Sequence, residues 1–400
     1  MSAGSARLSV LFANVGHTLT HMLMLLYPTV VLSLEGRMQL GYGELMWLSV
    51  PGMVLYGVAA LPAGWLGDRW SAEHMMVLFF IGSGLGCLAT GLASGPLGIG
   101  AGLALVGFFG SIYHPVGTAW LVRNAVNRGR MLGWNGIFGQ IGIGAAPFTA
   151  GALTQLYGWR AAFLAPGALC LVLGIALMLL VRGGSVAAAR SDRRPQSEPL
   201  RSDVRRAFIT LSITMVAAGI IMQAMTNVLP KLFEQRLAGF TDGGTLGTGT
   251  MVSIVFLVSS GFPMLGGWLA DRYSMRWIYV LAWAAEVPLL LAAASLLGLP
   301  LFAVATAVFC LISIAVPTEN SLLARYTPSR WRATAFGAKF VLSLGVSALG
   351  VPLVATVYDR THDFVWLFVI LGAFAVVVAA AGLLLPRDRP EAAPAPAPAE

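Results

Sequence analysis

Twelve apolar segments, each long enough to cross a bilayer, limit the possible folds of this chain more than any other feature. A membrane-spanning helix needs ~20 mostly apolar residues, because the hydrocarbon core is ~30 Å thick. The segments, numbered here as spans 1 to 12, are approximately 8–34, 43–67, 75–95, 98–122, 131–155, 160–182, 207–232, 247–270, 277–297, 299–324, 333–357 and 364–385. We therefore predict an all-α polytopic membrane protein.

The composition excludes the main alternative classes. Hydrophobic residues make up 57% of the chain and charged residues 10%, whereas soluble domains carry ~25% charged residues. The net charge of +8 does not indicate nucleic-acid binding, because the arginines lie between the spans. Cys87, Cys170 and Cys310 each lie in an apolar run without a C-x-x-C pair, which argues against disulfides and zinc.

The spans fall into two groups of six. We predict an N-terminal bundle at 1–182, a solvated cytoplasmic linker rich in Arg, Ser, Asp and Pro at 183–206, and a C-terminal bundle at 207–386. The Ala/Pro tail, 387–400, is expected to be disordered. Nineteen of the 25 Lys and Arg residues fall on one side of the predicted spans. Because cationic loops stay in the cytoplasm, we expect a bacterial inner-membrane protein with both termini inside.

An internal repeat relates the two halves. The sequence Gly64–Ser71 (GWLGDRWS) recurs as Gly267–Ser274 (GWLADRYS) at an offset of 203, and Ser111-Ile112 matches Ser313-Ile314 at an offset of 202. The G-x-L-x-D-R loop resembles the signature of the major facilitator superfamily, whose two six-helix repeats hold a substrate site between them near the midplane. The resemblance covers almost the whole chain and implies that fold.

Two further resemblances point to export. Span 5 reads Gly133-x8-Gly142-x3-Ala146-Pro147-x2-Ala150-Gly151, which resembles the antiporter signature of drug:proton exporters, although generic small-residue packing is the alternative. The sequences H-x-x-T-H at 17–21 and G-S-I-Y-H-P at 110–115 resemble the fosmidomycin-resistance subgroup. Thr20 and His21 replace an Asn-Asp pair there and Val116 replaces a glutamate, so we do not extend the resemblance to fosmidomycin itself.

Polar residues inside the spans are the candidate functional residues, because a charge at a helix centre costs ~2.5–3.5 kcal/mol on insertion scales. The family resemblance implies that spans 1, 4, 7 and 10 line the cavity. For proton coupling and substrate contact we predict His17, His21, His114 and Glu319. For the cavity lining we predict Asn14, Tyr113, Gln223, Asn227, Asn320 and Lys339. For a conformational latch in the repeated loop we predict Asp68, Arg69, Asp271 and Arg272.

Several alternatives accompany these assignments. Any single histidine in the spans can instead be a hydrogen-bonded structural residue. Lys339 is expected to extend to water at the membrane surface, or else to bind an anion in the cavity. Glu286 in span 9 has no explanation from the sequence: span 9 is usually peripheral in this fold, which leaves contact with lipid, with a partner or, if the geometry permits, with Lys339.

The combined prediction is a proton-coupled exporter of a small organic compound, working as a monomer in the bilayer. An importer of an organic anion or metabolite is the runner-up, and a non-transporting receptor or scaffold is a third possibility. A membrane enzyme with a metal on His17, His21 and His114 is disfavoured, because no H-E-x-x-H sequence or cluster of acids accompanies the histidines. We expect no catalytic residue, metal or cofactor, and no nucleic-acid partner.

Overall fold

The computed structural model describes residues 3–125, 127–186, 201–237, 239–241, 244–327 and 332–386. Its membrane-spanning helices are Gly4–Met38, Tyr42–Arg69, Ala72–Leu92, Pro96–Asn124, Arg130–Tyr157, Ala161–Arg182, Val204–Arg236, Gly244–Ala270, Met275–Ala293, Gly298–Tyr326, Gly337–Thr361 and Val365–Gly382. The described residues contain no strand. The predicted all-α fold with twelve spans is confirmed.

The seven continuous helices follow the apolar segments closely. They are Ala72–Leu92, Arg128–Tyr157, Ala161–Arg182, Arg201–Arg236, Met275–Ala293, Gly298–Tyr326 and Val365–Gly382. The helix that contains span 7 begins at Arg201, three residues before the span itself. The last residues of the predicted linker therefore belong to this helix. The linker residues 187–200 and the Ala/Pro tail 387–400 lie outside the described residues.

The remaining spans are built from shorter helical pieces. Span 1 consists of Ala3–Leu25 and Tyr27–Met38, and span 8 of Gly244–Ser259 and Phe262–Ala270. The second piece in each case has a proline in its first turn, where the missing N–H is tolerated. Span 2 consists of Tyr42–Trp47, Val50–Val58 and Ala60–Arg69.

Spans 4 and 11 contain π-helical turns. Span 4 consists of Pro96–Gly110, a π turn at Tyr113–Gly117, and Thr118–Asn124. Span 11 consists of Arg332–Phe340, a π turn at Val341–Gly345, a 3₁₀ turn at Val346–Leu349, and Gly350–Thr361. Such turns occur mostly as single bulges, often at functional sites. Span 11 contributes its π turn to the central contact between the halves, described next.

The two halves meet closely at the middle of the bundle, where spans 2 and 11 cross. A methyl group on Gly57 would lie 2.1 Å from the backbone nitrogen of Gly345. No side chain other than hydrogen fits between backbones at that distance, so this contact requires glycine.

One end of the bundle is held shut by polar contacts between the halves. The Lys231 ammonium of span 7 lies 2.6 Å from a Glu35 carboxylate oxygen of span 1. The rings of Tyr42 and Tyr358 lie 5.0 Å apart, and the Gly43 amide donates to Asp359 Oδ1 over 3.1 Å. We call this set the closed end.

The small residues of span 5 pack against both halves. A methyl group on Gly142 would lie 2.2 Å from the Thr18 carbonyl oxygen of span 1, and one on Gly151 would lie 2.2 Å from the Thr245 carbonyl oxygen of span 8. The Phe148 amide, next to Pro147, donates to Ser253 Oγ of span 8 over 2.9 Å. Span 5 therefore packs between span 1 of the first half and span 8 of the second.

Candidate functional site

The three histidines of spans 1 and 4 form one cluster. The rings of His17 and His21 lie 5.0 Å apart, and the ring of His114 lies 5.5 Å from His17 and 5.3 Å from His21. His17 and His21 share a face of span 1 because they are four residues apart, while the π turn of span 4 presents His114 to that face. We call these three residues the histidine cluster.

Spans 4 and 5 hold His17 in place. Its ring stacks on Tyr113 at 4.9 Å between centroids, and its Nδ1 lies 2.7 Å from the Asn135 carbonyl oxygen. The Asn135 amide nitrogen in turn donates to Asn14 Oδ1 over 3.0 Å and to the Tyr113 hydroxyl over 2.9 Å. Of the predicted cavity residues, Tyr113 contacts His17 directly, and Asn14 acts on His17 through Asn135.

These contacts determine where one proton of the cluster lies. A carbonyl oxygen cannot donate, so His17 Nδ1 carries the proton that the Asn135 carbonyl accepts. His17 Nε2 and His21 Nε2 are 3.2 Å apart, a distance that accommodates one N–H between them and not two. In this arrangement His21 donates and His17 accepts. An additional proton is therefore accepted by His114 or by His21 Nδ1. If His17 Nε2 accepted it instead, the hydrogen bond between His17 and His21 would break.

The same cluster has the donor atoms of a metal site. One ring nitrogen of each of the three histidines lies within 4.8 Å of the others. The hydrogen bond from His17 Nδ1 to a backbone carbonyl is also common for histidines that bind metals. No carboxylate joins the set among the described residues, so the cluster alone would offer a divalent transition metal three neutral nitrogen ligands.

The histidine cluster touches the second half of the protein through His114. The His114 ring stacks on the Phe340 ring of span 11 at 5.3 Å with an interplanar angle of 22°. A positive charge over an aromatic face is favoured by the ring quadrupole. Protonation of His114 would therefore strengthen a contact between the halves.

Glu319 and Lys339 form a buried ion pair within the C-terminal half. Their charged atoms are 2.7 Å apart, and the residues are only 6% and 8% exposed. Tyr279 of span 9 donates to the second Glu319 oxygen over 2.9 Å, and Lys339 donates to Asn320 Oδ1 over 2.6 Å. The expectation that Lys339 extends to the membrane surface is wrong, because the neighbouring carboxylate retains the ammonium inside the bundle.

The polar residues of span 7 lie at different depths. Gln223 reaches Met53 of the first half, with Nε2 3.9 Å from its sulfur. Asn227 donates from its side chain to the Gln223 carbonyl over 2.8 Å. Lys231 lies at the closed end, between Glu35 and Glu234 at 2.6 Å and 2.7 Å. Lys231 therefore lies at the closed end, apart from the histidine cluster.

The repeated loop residues keep the same local geometry in both halves. The Arg69 guanidinium lies 4.3 Å from the centre of the Trp65 ring, and that of Arg272 lies 4.4 Å from the centre of the Trp268 ring. Asp68 and Asp271 form no ion pair with any other described residue. The latch role of these loops stays a prediction, and in this conformation the arginines stack on tryptophan instead of bridging the halves.

Glu286 lies inside the C-terminal half. It is 0% exposed, and neither carboxylate oxygen has a hydrogen-bond partner among the described residues. Of the alternatives left open, contact with lipid is excluded, because this face of the helix turns inward together with Tyr279 and Trp283, which are also buried. Lys339 pairs with Glu319 instead of Glu286.

The sequence analysis overlooked residues that hold the site together. Asn135 positions His17, Tyr279 donates a hydrogen bond to Glu319, and Glu35 forms the ion pair with Lys231 at the closed end. The polar amide of Asn135 within an apolar span was an available signal. Tyr279 and Glu35 gave no clear signal, because tyrosines and acids near helix ends usually lie at the membrane interface.

Comparison with known proteins identifies the family. The model of the Major Facilitator Superfamily matches residues 11–350, with a further match at 244–400. The chain belongs to this superfamily. Its twelve spans are those of a multi-pass membrane protein, and the members of this superfamily are transporters.

The individual relatives match only part of the chain. Multidrug resistance protein MdtG of Escherichia coli O9:H4 (strain HS) is 32% identical over 121 residues, which is 30% of each protein. Multidrug resistance protein MdtG of Klebsiella pneumoniae (strain 342) is 29% identical over 150 residues, which is 37% of this chain and 36% of that protein. The matches thus span about a third of each relative's length.

Solved structures match over nearly the full length. A bacterial homolog to the human lysosomal transporter Spinster, in an inward-facing and occupied conformation, has a TM-score of 0.74 at 14% identity and covers 96% of this chain and 95% of its own. The peptide transporter POT in complex with sulfate also has a TM-score of 0.74 at 14% identity, covering 95% and 96%. At such identity the likeness shows the fold alone.

Proposed function

We propose that this transporter is a proton-coupled exporter of a small organic compound, with the histidine cluster as its proton site. The observation that carries the proposal is the contact of His114 with Phe340, because it couples a titratable group of one half to an aromatic ring of the other. Histidine is suited to this role, since its ordinary pKa of ~6.5 permits proton exchange near physiological pH.

The contacts of the histidine cluster favour His114 as the residue that gains and loses the coupled proton. His17 is tied to the Asn135 carbonyl, whereas His114 has ring neighbours on both halves. When His114 is protonated, its stacking on Phe340 is more favourable. Loss of the proton weakens that contact, and substrate binding between the halves can then compete with it. Proton release and substrate uptake are thereby linked in opposite directions, as antiport requires.

Three resemblances support the proposed direction of transport. The small-residue sequence of span 5 resembles the antiporter signature of drug:proton exporters, and the matched relatives are named as multidrug resistance proteins. Spans 1 and 4 resemble the fosmidomycin-resistance exporters. With both termini in the cytoplasm, as the arginine distribution favours, the closed end faces outward. The substrate would be loaded from the cytoplasm.

Flux in reconstituted vesicles tests the coupling and its direction. Acid-loaded proteoliposomes with an internal pH dye would receive ethidium, an organic cation, or carboxyfluorescein, an organic anion, from outside. Antiport predicts probe accumulation together with alkalinisation of the lumen. Further acidification with probe entry would establish symport, and the runner-up function of an importer would replace this proposal.

A pair of histidine variants separates the cluster from general effects. We expect His114→Gln to abolish probe-driven proton movement while leaving folding intact. His74→Gln is the matched control, because His74 is exposed and contacts only its own loop through Ser71 and Trp70. Unchanged proton movement in His114→Gln would contradict the assignment of the cluster.

A further inference from the structure

The histidine cluster has a geometry that suits a metal ion as well as a proton. His17 Nε2 and His21 Nε2 are 3.2 Å apart. Two nitrogens that share a tetrahedral Zn²⁺, each ~2.0–2.1 Å from the ion, are about 3.3 Å apart, so these two atoms already lie at the separation that a common ion requires. A ring nitrogen of His114 completes a set of three donor atoms within 4.8 Å of one another.

The backbone of two spans holds these donor atoms together. The spacing of four residues puts His17 and His21 on one face of span 1, which is the arrangement by which a single helix presents two histidines to one Zn²⁺. The π turn at Tyr113–Gly117 presents His114 to the same face. All three ligands belong to the N-terminal half, so no ligand is lost if the two halves move apart.

Asn135 supplies the outer contact that metal-binding histidines usually have. His17 Nδ1 donates to the Asn135 carbonyl oxygen over 2.7 Å, which leaves the lone pair of Nε2 available. Such a hydrogen bond on the second ring nitrogen fixes the tautomer and the orientation of most histidine ligands. His21 binds the ion through Nε2 in its other neutral tautomer, with the proton on Nδ1.

The donor set favours a divalent transition metal over Mg²⁺ or Ca²⁺. Imidazole nitrogens suit Zn²⁺, Cu²⁺ and Ni²⁺, whereas Mg²⁺ and Ca²⁺ are hard cations that take oxygen ligands. Among the described residues, the set contains three nitrogens and no carboxylate oxygen. Three neutral ligands leave the fourth tetrahedral position open to water or a small anion. Each of the three histidines keeps part of its surface exposed, which an entering ion requires.

From this arrangement we propose that the histidine cluster binds one divalent transition metal ion through His17, His21 and His114. The sequence features that disfavour a metalloenzyme, the missing H-E-x-x-H sequence and cluster of acids, concern catalysis and not binding. Metal binding stands whether or not transport is coupled to protons. Its effect on transport rests on the proposed function, because nitrogens bound to a metal cannot accept the coupled proton, and Zn²⁺ should therefore inhibit proton-driven flux.

Metal binding by the full-length protein without an affinity tag tests the site directly. Zn²⁺ would be titrated by calorimetry into protein in an uncharged detergent at neutral pH, with Mg²⁺ as the comparison ion. We expect one Zn²⁺ per chain and no measurable binding of Mg²⁺. His114→Gln should weaken Zn²⁺ binding by more than ~100-fold, because loss of an outer contact alone already costs ~10–100-fold in metal affinity. His21→Gln should give the same loss.

The two histidines outside the cluster provide the matched control. The chain has five histidines, so His74→Gln/His362→Asn leaves only the cluster and should bind one Zn²⁺ with unchanged affinity. Asparagine is chosen at position 362 because the residue has a φ of 53°, which asparagine tolerates. The absorption spectrum of this variant with Co²⁺ distinguishes nitrogen ligands from the thiolates of the three buried cysteines. A monodisperse elution profile for each variant confirms that it is folded.

The results separate the metal site from proton coupling. Absence of Zn²⁺ binding, equal binding of Mg²⁺, or unchanged affinity in the folded His114→Gln and His21→Gln variants would overturn the metal site, whatever the flux assay shows. A thiolate spectrum with Co²⁺ would assign the ion to the cysteines and would also overturn it. Binding of one Zn²⁺ together with proton-driven flux that Zn²⁺ does not inhibit would support the metal site and contradict the role of the cluster in coupling.

Discussion

The buried pair of Glu319 and Lys339 permits the sharpest test of the physical reasoning. At 2.7 Å and an effective dielectric constant of ~20, the attraction between unit charges is about 6 kcal/mol. Most of that attraction is offset by the cost of removing both charges from water. The pair should therefore contribute little net stability while either charge alone is strongly unfavourable.

Substitution of one partner should reveal this asymmetry. In Lys339→Met the Glu319 carboxylate keeps only the hydrogen bond from Tyr279, and we expect a loss of about 3–5 kcal/mol in the free energy of unfolding. Glu319→Gln leaves the Lys339 ammonium with Asn320 and should be destabilising in the same range or less. The double variant Lys339→Met/Glu319→Gln has no unpaired charge and should fall within about 1 kcal/mol of the native protein.

Denaturant unfolding in a mild detergent at pH 7, followed by tryptophan fluorescence, measures the four free energies. Additive losses in the double variant, or a single variant as stable as the native protein, would refute the account of a self-compensating pair. The double variant also tests the role of the pair in transport. Because it should fold, loss of proton-driven flux would assign the Glu319–Lys339 pair to coupling, and retained flux would make the pair structural.

Three further predictions follow from other contacts. Gly139→Ala should reduce proton-coupled flux, because a methyl group there would lie 2.7 Å from the His17 ring; Gly136→Ala, where nothing lies within 4 Å, should keep the flux and gain up to ~1 kcal/mol of helix stability. Lys231→Gln should open the closed end, raising the open population about tenfold by spin-label distances between spans 2 and 11, since hydrogen bonds to charged groups contribute ~1.5–3 kcal/mol. Burial raises the pKa of Asp363, but the hydrogen bonds from Arg236 and from the Phe364 amide, together with the charge of Arg236, lower it by more, so the pKa in the folded protein is below its ordinary value. The ionised carboxylate therefore stabilises the folded state fully above the ordinary pKa, and this stabilisation is lost as the pH falls through the pKa of the folded protein. Asp363→Asn should accordingly remove the part of the melting temperature that depends on this titration.

The histidine cluster shows how far periodicity reaches. Residues 17 and 21 share a helical face by spacing alone, and the proline after His114 indicated a disturbed turn in span 4. The placement of His114 beside them depends on the π turn at Tyr113–Gly117, whose extra residue rotates the side chains that follow. The sequence offered the candidates for this cluster, but the local change of helix geometry brought them together.

The closed end and the Glu319–Lys339 ion pair show where prediction from single spans fails. Lys339 lies near a helix end, where a lysine on an isolated span would reach water. It does not, because Glu319 of the neighbouring span lies 2.7 Å away. Lys231 follows the predicted cavity residues Gln223 and Asn227 along its span, yet its partner Glu35 places it at the closed end. In both cases the partner belongs to another span.

The sequence by itself determined the twelve spans, the duplication and the set of polar residues inside the membrane. These properties depend on local composition and on the requirement that backbone polar groups in hydrocarbon bond within their own helix. Which polar residues meet, and that Glu286 points into the bundle, followed only from the packing of the helices. The physical reason is that a helix pattern defines a face, whereas the rotation and depth of that face follow from packing against neighbouring helices.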